Sequence, residues 1–136
     1  MPLQIVVDAV EARLAASFAG CPVYGVNTQG ETPPGGGPFV QVSYHVANGE
    51  QLTVGAPGAN IYRETGAFRL EVNARRGKGV QQGLAWADEL AALFRGKEFG
   101  GIQTFAPSSP SIDDRNDAGN YFKLSVAGPY QADIFG

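Results

Sequence analysis

The clearest alternation of apolar and polar residues runs over Ala67–Ala74. There Phe68, Leu70, Val72 and Ala74 fall on one side, and Ala67, Arg69, Glu71 and Asn73 on the other. Strict period two is the signature of a strand with one buried face and one wet face. The strand belongs to the longer stretch Gly55–Arg76, which starts as a Gly/Pro loop, passes Tyr62 and Arg63, and is expected to turn or kink at Gly66. Loop glycines allow positive φ and proline fixes φ, so a rigid sheet would present this loop at its end.

Helical spacing takes over at two places. Over residues 2–18, Leu3, Val7, Val10, Leu14 and Phe18 form a stripe with Asp8, Glu11 and Arg13 away from its centre, and Gly20 and Pro22 end the helix. Over Val80–Phe94 the face is Val80, Leu84, Ala87, Ala91 and Phe94, flanked by Trp86 and Leu90; Asp88 and Glu89 take the wetter side, and Gly96 is positioned as the C-terminal cap.

Shorter strands are predicted at Val23–Val26, at Phe39–Val46 with Val40, Val42, Tyr44 and Val46 inward, and at Tyr121–Ala127 with Phe122, Leu124 and Val126 inward. Asn48-Gly49 reads as a hairpin turn, with Gln51–Val54 as the return strand. Phe99–Phe105 reads as an irregular strand weakened by Gly100 and Gly101, and Gly128-Pro129 as the break before the tail Tyr130–Gly136. Two polar loops, Asn27–Pro38 and Pro107–Gly119, separate these elements. The first is either a solvated connector or an arm that orders against a neighbouring subunit. The expected architecture is α+β: an antiparallel, meander-like sheet of about four to six strands with two amphipathic helices packed on it.

Composition narrows the functional classes. A chain of 136 residues with a 43% apolar share suits a single domain, residues 1–136, with one core. A net charge of −3 argues against a general nucleic-acid binder. Cys21 is the lone cysteine, so an intramolecular disulfide and an all-cysteine zinc site are out. There is no basic, apolar leader and no run of the roughly 20 apolar residues that a membrane helix needs, so synthesis in the cytoplasm is expected.

Catalytic constellations are missing. His45 is the lone histidine, with Gln41 and Ser43 as same-face neighbours and no orienting carboxylate by local spacing. The acidic run Asp113, Asp114, Asn116, Asp117, Gly119 imitates a calcium loop. However, alignment puts Ala118 at the fifth position and Ser125 where a bidentate Glu is required. Arg75, Arg76 and Lys78 form a basic entry to the second helix without phosphate-loop spacing; they read as a solvated cluster or as a phosphate contact. The expectation is a protein with no catalytic residues, no metal and no cofactor.

Three strings carry a resemblance. They are Gly55-Ala56-Pro57-Gly58-Ala59-Asn60-Ile61-Tyr62-Arg63 with Gly66 following, Ala87-Asp88-x-x-Ala91 leading to Leu93-Phe94-Arg95-Gly96, and Pro129-Tyr130-Gln131-Ala132-Asp133. In order and spacing, the chain resembles phage tail terminator-like proteins over nearly its whole length. The resemblance implies a structural virion protein of α+β fold. Such a protein would form a ring, commonly of six subunits, on the head-proximal end of the tail tube. It would stop tube polymerisation and present a surface to the head–tail connector. The implied partners are other copies of itself, the major tail-tube protein and the connector, with no membrane and no sequence-specific nucleic acid. Gly55, Pro57, Gly58, Asn60, Tyr62, Arg63 and Glu64 are the expected contact residues, since Tyr and Arg favour interface anchors. Arg75, Arg76 and Lys78 are candidates for lining a channel through which DNA passes. A connector ring component and a ligand-binding α+β domain outside phage biology are the alternatives.

Overall fold

A computed structural model describes residues 3–25, 37–75, 81–112 and 121–136. Two helices, α1 (Gln4–Ser17) and α2 (Gln81–Phe94), pack on a sheet of seven described strands. The strands are β1 (Val23–Tyr24), β2 (Phe39–Gln51), β3 (Ile61–Arg75), β4 (Glu98–Phe99), β5 (Ile102–Thr104), β6 (Ser111–Ile112) and β7 (Tyr121–Phe135). Their order is β1-β2-β3-β7-β5-β4, with β6 alongside β7. The α+β class is as expected, but the sheet is mixed, because β1 runs parallel to β2.

The predicted alternation in β3 holds. Phe68, Leu70, Val72 and Ala74 are all buried, and they meet Leu124, Val126 and Tyr130 of β7 beneath Ala87, Leu90, Ala91 and Phe94 of α2. Phe68 lies edge-on to Phe94, with ring centroids 4.8 Å apart, and stacks beside Tyr130. Each such large side chain, fully buried, contributes roughly 1.5–3 kcal/mol. The helix stripes shift by a residue. In α1 the buried positions are Val6, Ala9, Val10 and Leu14, with Val7 half-buried. In α2 Leu84 is exposed and Gly83 faces the sheet instead, because a Cβ at Gly83 would stand 2.8 Å from the Leu124 side chain. Val80 lies outside the described residues. Arg13 ties the helices together: its Nε donates to the Leu93 carbonyl at 2.6 Å, and its guanidinium lies over the Phe99 ring. Gly96 takes the positive φ, +61°, expected of a C-terminal cap.

Several expected breaks are not breaks. Asn48-Gly49 is not a turn: β2 continues to Gln51, and Asn48 pairs with Thr65 and Gly49 with Glu64. The chain reverses over Leu52–Asn60, where Gly55 and Gly58 hold φ of +90° and +85°. Gln51–Val54 is therefore no return strand, and β3 itself returns from Ile61. Gly66 does not stop β3. It sits where β2 bulges between Tyr44 and Val46, so close to the Val46 carbonyl oxygen that a Cβ has no room. The bulge inserts His45 and reverses the alternation beyond it. Val46, expected in the core, is for that reason 52% exposed.

β7 likewise runs through Gly128 and Pro129. A Cβ at Gly128 would lie 2.5 Å from the Phe68 ring, which explains the glycine. The Phe105 N–H donates to the Pro129 carbonyl at 3.1 Å, so the main-chain groups of Pro129 face away from β3. Its missing N–H therefore removes no bond from the β3–β7 ladder. Gly100 and Gly101 do not weaken one strand. Both have positive φ, 57° and 85°, and form the two-residue turn between β4 and β5.

Candidate functional site

β2, β3 and β7 outrun the elements that flank them. Their last residues form a three-stranded antiparallel end whose levels are set by register: Gln51 pairs with Tyr62, and Tyr62 with Ile134. The Gly55–Gly58 turn caps this end. Asn60 fastens it from inside. Its Oδ1 accepts from the Ala56 N–H at 3.2 Å and from the Thr53 hydroxyl at 3.3 Å. Its main chain exchanges two 3.0 Å bonds with Gly136. Asn60 is accordingly only 6% exposed.

Glu64 joins this end to the helix layer. α1 begins after Leu3, an N-cap whose side chain can satisfy none of the helix's free N–H groups. The Glu64 carboxylate, 9% exposed, accepts from the Leu3 N–H at 3.2 and 3.1 Å, and the Tyr130 hydroxyl donates to its Oε2 at 3.3 Å. A strand residue thus caps the helix and places negative charge at its positive pole. Burial, reinforced by the Glu64 charge and hydrogen bond, raises the Tyr130 pKa well above the ordinary tyrosine value.

Arg63 lies on the opposite, helix-free face. Its Nε and Nη2 donate to Asp133 Oδ1 and Oδ2 at 2.8 and 3.0 Å across the β3–β7 ladder. That bidentate hydrogen bond raises the Arg63 pKa and lowers the Asp133 pKa. Further along the same face Arg69 and Lys123 both approach Glu71, at 3.5 and 3.7 Å. Cys21 is half-buried, and burial followed by the Glu89 charge pushes its thiol up to about 11, the protonated and unreactive form.

Two apolar features here are hard to see in the sequence. Val54 and Phe135 are 82% and 75% exposed at the tip of the three-stranded end, with Leu52 and Ile134 also open to solvent. Beside them is a cavity of about 330 Å³ lined by Leu3, Gly49, Gln51, Tyr62, Glu64 and Ile134. The available signal was the apolar pair Leu52 and Val54 inside a Gly/Pro turn, where packing does not require them. Of the expected contact residues, Gly55, Pro57 and Gly58 are exposed at the tip, Tyr62 and Arg63 are half-buried on its two faces, and Asn60 and Glu64 are internal. Arg76 and Lys78, and the side chain of Arg75, lie outside the described residues, as does the acidic run 113–119. His45 is exposed at the bulge and shares a 3.0 Å hydrogen bond with the Ser43 hydroxyl. Among the described residues no group of three or more His, Cys, Asp or Glu could hold a metal ion, and no helix is long and apolar enough to cross a membrane.

The profile of a family described as phage tail terminator protein matches residues 5–130, from the second residue of α1 to Tyr130 in β7. The chain belongs to the phage tail terminator family. Terminator proteins are structural components of the virion tail that act in virion assembly with other tail and head proteins. No curated protein matches the sequence. Among the solved structures, 13 chains match. One of them, whose name states no function, superposes with a TM-score of 0.64 at 21% identity, over 98% of this chain and 96% of its own. At that identity the likeness speaks for the fold alone. It supports the fold described above.

Proposed function

We propose that this terminator protein assembles as a ring, commonly of six copies, on the head-proximal end of the tail tube. There it ends tube polymerisation and presents the surface to which the head–tail connector joins. The observation that carries the reading is the family match over residues 5–130. The exposed apolar end around Val54 and Phe135 supports it, since a monomer in water gains nothing from leaving such side chains together and uncovered. A cyclic ring joins unlike surfaces head to tail and leaves two different end faces, one for the tube and one for the head.

In this reading the contact surface is the Gly55–Gly58 turn with Tyr62 and Arg63, while Asn60 and Glu64 hold that surface in shape. Arg63 meets a partner as one half of an ion pair with Asp133, at the same end of the sheet as exposed Val54 and Phe135. Arg75, Arg76 and Lys78 are assigned to the channel, as charges that meet passing DNA without reading its sequence.

Tube capping tests this. The cognate tail-tube protein is assembled with and without the protein, and tube lengths are measured by negative-stain electron microscopy. Shorter tubes with density at one end are expected, and a Val54→Asp, Phe135→Asp double variant that keeps its melting temperature should leave tubes uncapped. Unchanged tubes with the native protein, together with binding to a portal or adaptor protein, would move the assignment to a connector ring.

A further inference from the structure

We infer that neighbouring copies join by main-chain pairing, the open edge of β2 in one copy adding to the open edge of β7 in the next. This rests on the ring reading above and names the contact that closes it.

The direction of each strand's main-chain groups follows from the bonds it makes. Just past β2, Leu52 N–H donates to the Ile61 carbonyl at 2.8 Å, so the groups of Leu52 and, by alternation, Glu50 and Asn48 point towards β3. The groups of Ala47, Gly49 and Gln51 then point outward. β1 covers β2 only at Val40 and Gln41, and among the described residues nothing bonds the outward groups of Ala47, Gly49 and Gln51. In β7, Ala127 and Pro129 accept from the Ser108 and Phe105 N–H groups, so odd-numbered residues face away from β3. β5 pairs with β7 only as far as Ala132. Past that pair, the outward groups of Phe135 are therefore also without a partner among the described residues.

These two open edges flank the same three-stranded end on opposite sides, at the same level, since Gln51 and Ile134 both pair with Tyr62. Both strands run towards the tip. A rotation axis along the strands would bring β2 of one copy beside β7 of the next in parallel, with Gln51 near Ile134. That is a head-to-tail contact, as ring closure needs, and it removes two edges that a lone chain leaves as templates for aggregation. Apart from the bulge at His45, the β2 edge has neither proline nor lysine from Val46 to Gln51, and a side chain added at Gly49 would meet nothing within 4 Å. Val54 and Phe135, otherwise exposed, lie beside the seam.

Cysteine pairing on assembled tube ends tests the contact. In a Cys21→Ser background, Gln51→Cys chains and Ile134→Cys chains, whose side chains share one sheet face, are mixed, added to tubes of the cognate tail-tube protein, oxidised and run without reductant. A cross-linked dimer from the mixture and none from either variant alone is expected. Gly49→Pro, which deletes one outward N–H, should melt as the native protein does but cap tubes about tenfold more weakly. Capped tubes without the mixed cross-link would overturn the edge contact and leave the terminator ring standing. Dimers from a single variant would overturn it too, because they mean a two-fold contact. Absence of any density on tube ends would overturn both.

Discussion

At the scale of the residue, Glu64 has the most to answer for. It lies on the sheet's helix-covered face, two residues past Tyr62, and stands where a helix-capping side chain would otherwise be. Replacing it with Ala leaves the Leu3 N–H and the Tyr130 hydroxyl without their acceptor. The loss should be about 2 kcal/mol, the range for hydrogen bonds to a charged group. Urea unfolding of Glu64→Ala against the native protein, read as a shift in midpoint at constant slope, checks it. Arg63 differs in kind. Its pair with Asp133 is one-third exposed, at 34% and 40% for the two side chains, and solvent screens it. Sequence could point to Arg63 and Glu64 as neighbours of a loop. It could not say that one faces the helices and the other the open side in a working pair with Asp133, 70 residues away.

At the scale of the element, the decisive feature is where β2 turns. Asn48-Gly49 has the composition of a tight hairpin, yet both residues lie inside a ladder that pairs Phe39 through Gln51 with Tyr62 through Asn73. Turn propensity is worth a kilocalorie or so; slipping this ladder would expose Val40, Val42, Phe68 and Leu70, each worth more. An insertion experiment separates the two assignments. One extra glycine between Pro57 and Gly58 lengthens an exposed turn and should cost less than about 1 kcal/mol. One extra glycine between Asn48 and Gly49 shifts the distal half of β2 by a residue, turns its side chains to the wrong face, and should cost several times more. Denaturation midpoints of the two insertions give the comparison. Pro129 gives the same lesson: a proline reads as a stop, but here its main chain faces away from the neighbouring strand, and β7 continues to Phe135.

At the scale of the whole molecule, one sheet face is dry and the other wet, and two tyrosines stand in the dry layer. Tyr44 and Tyr130 are 9% and 1% exposed, and burial, with carboxylates nearby, raises both pKa values. A raised folded pKa means that the folded state holds its proton after the unfolded state has lost it. Their contribution to stability is therefore complete below the ordinary tyrosine value near 10, and is lost as pH rises from there through the folded values. Alkaline unfolding should begin above about pH 10. Tyrosinate absorbance should show these two of the five tyrosines ionising together with loss of tertiary circular dichroism. Ionisation of all five before any loss of structure would contradict the packing.

The sequence by itself determined the α+β class, the inward set Phe68, Leu70, Val72 and Ala74, both helices to within a few residues, the Gly96 cap and the family. All of these follow from local periodicity, from the conformational range of glycine or from motif order, none of which needs a distant partner. Only the tertiary structure decided the mixed sheet, the bulge that turned Val46 outward, the continuous β2 and β7, and the internal duties of Asn60 and Glu64. Each of these depends on a partner far along the chain: β1 on β2, Gly66 against Val46, Phe68 over Gly128, Gly136 bonded to Asn60. Local signals rank turns and breaks by propensities of about a kilocalorie, whereas the summed pairing and burial of a long ladder amount to many times that and override them.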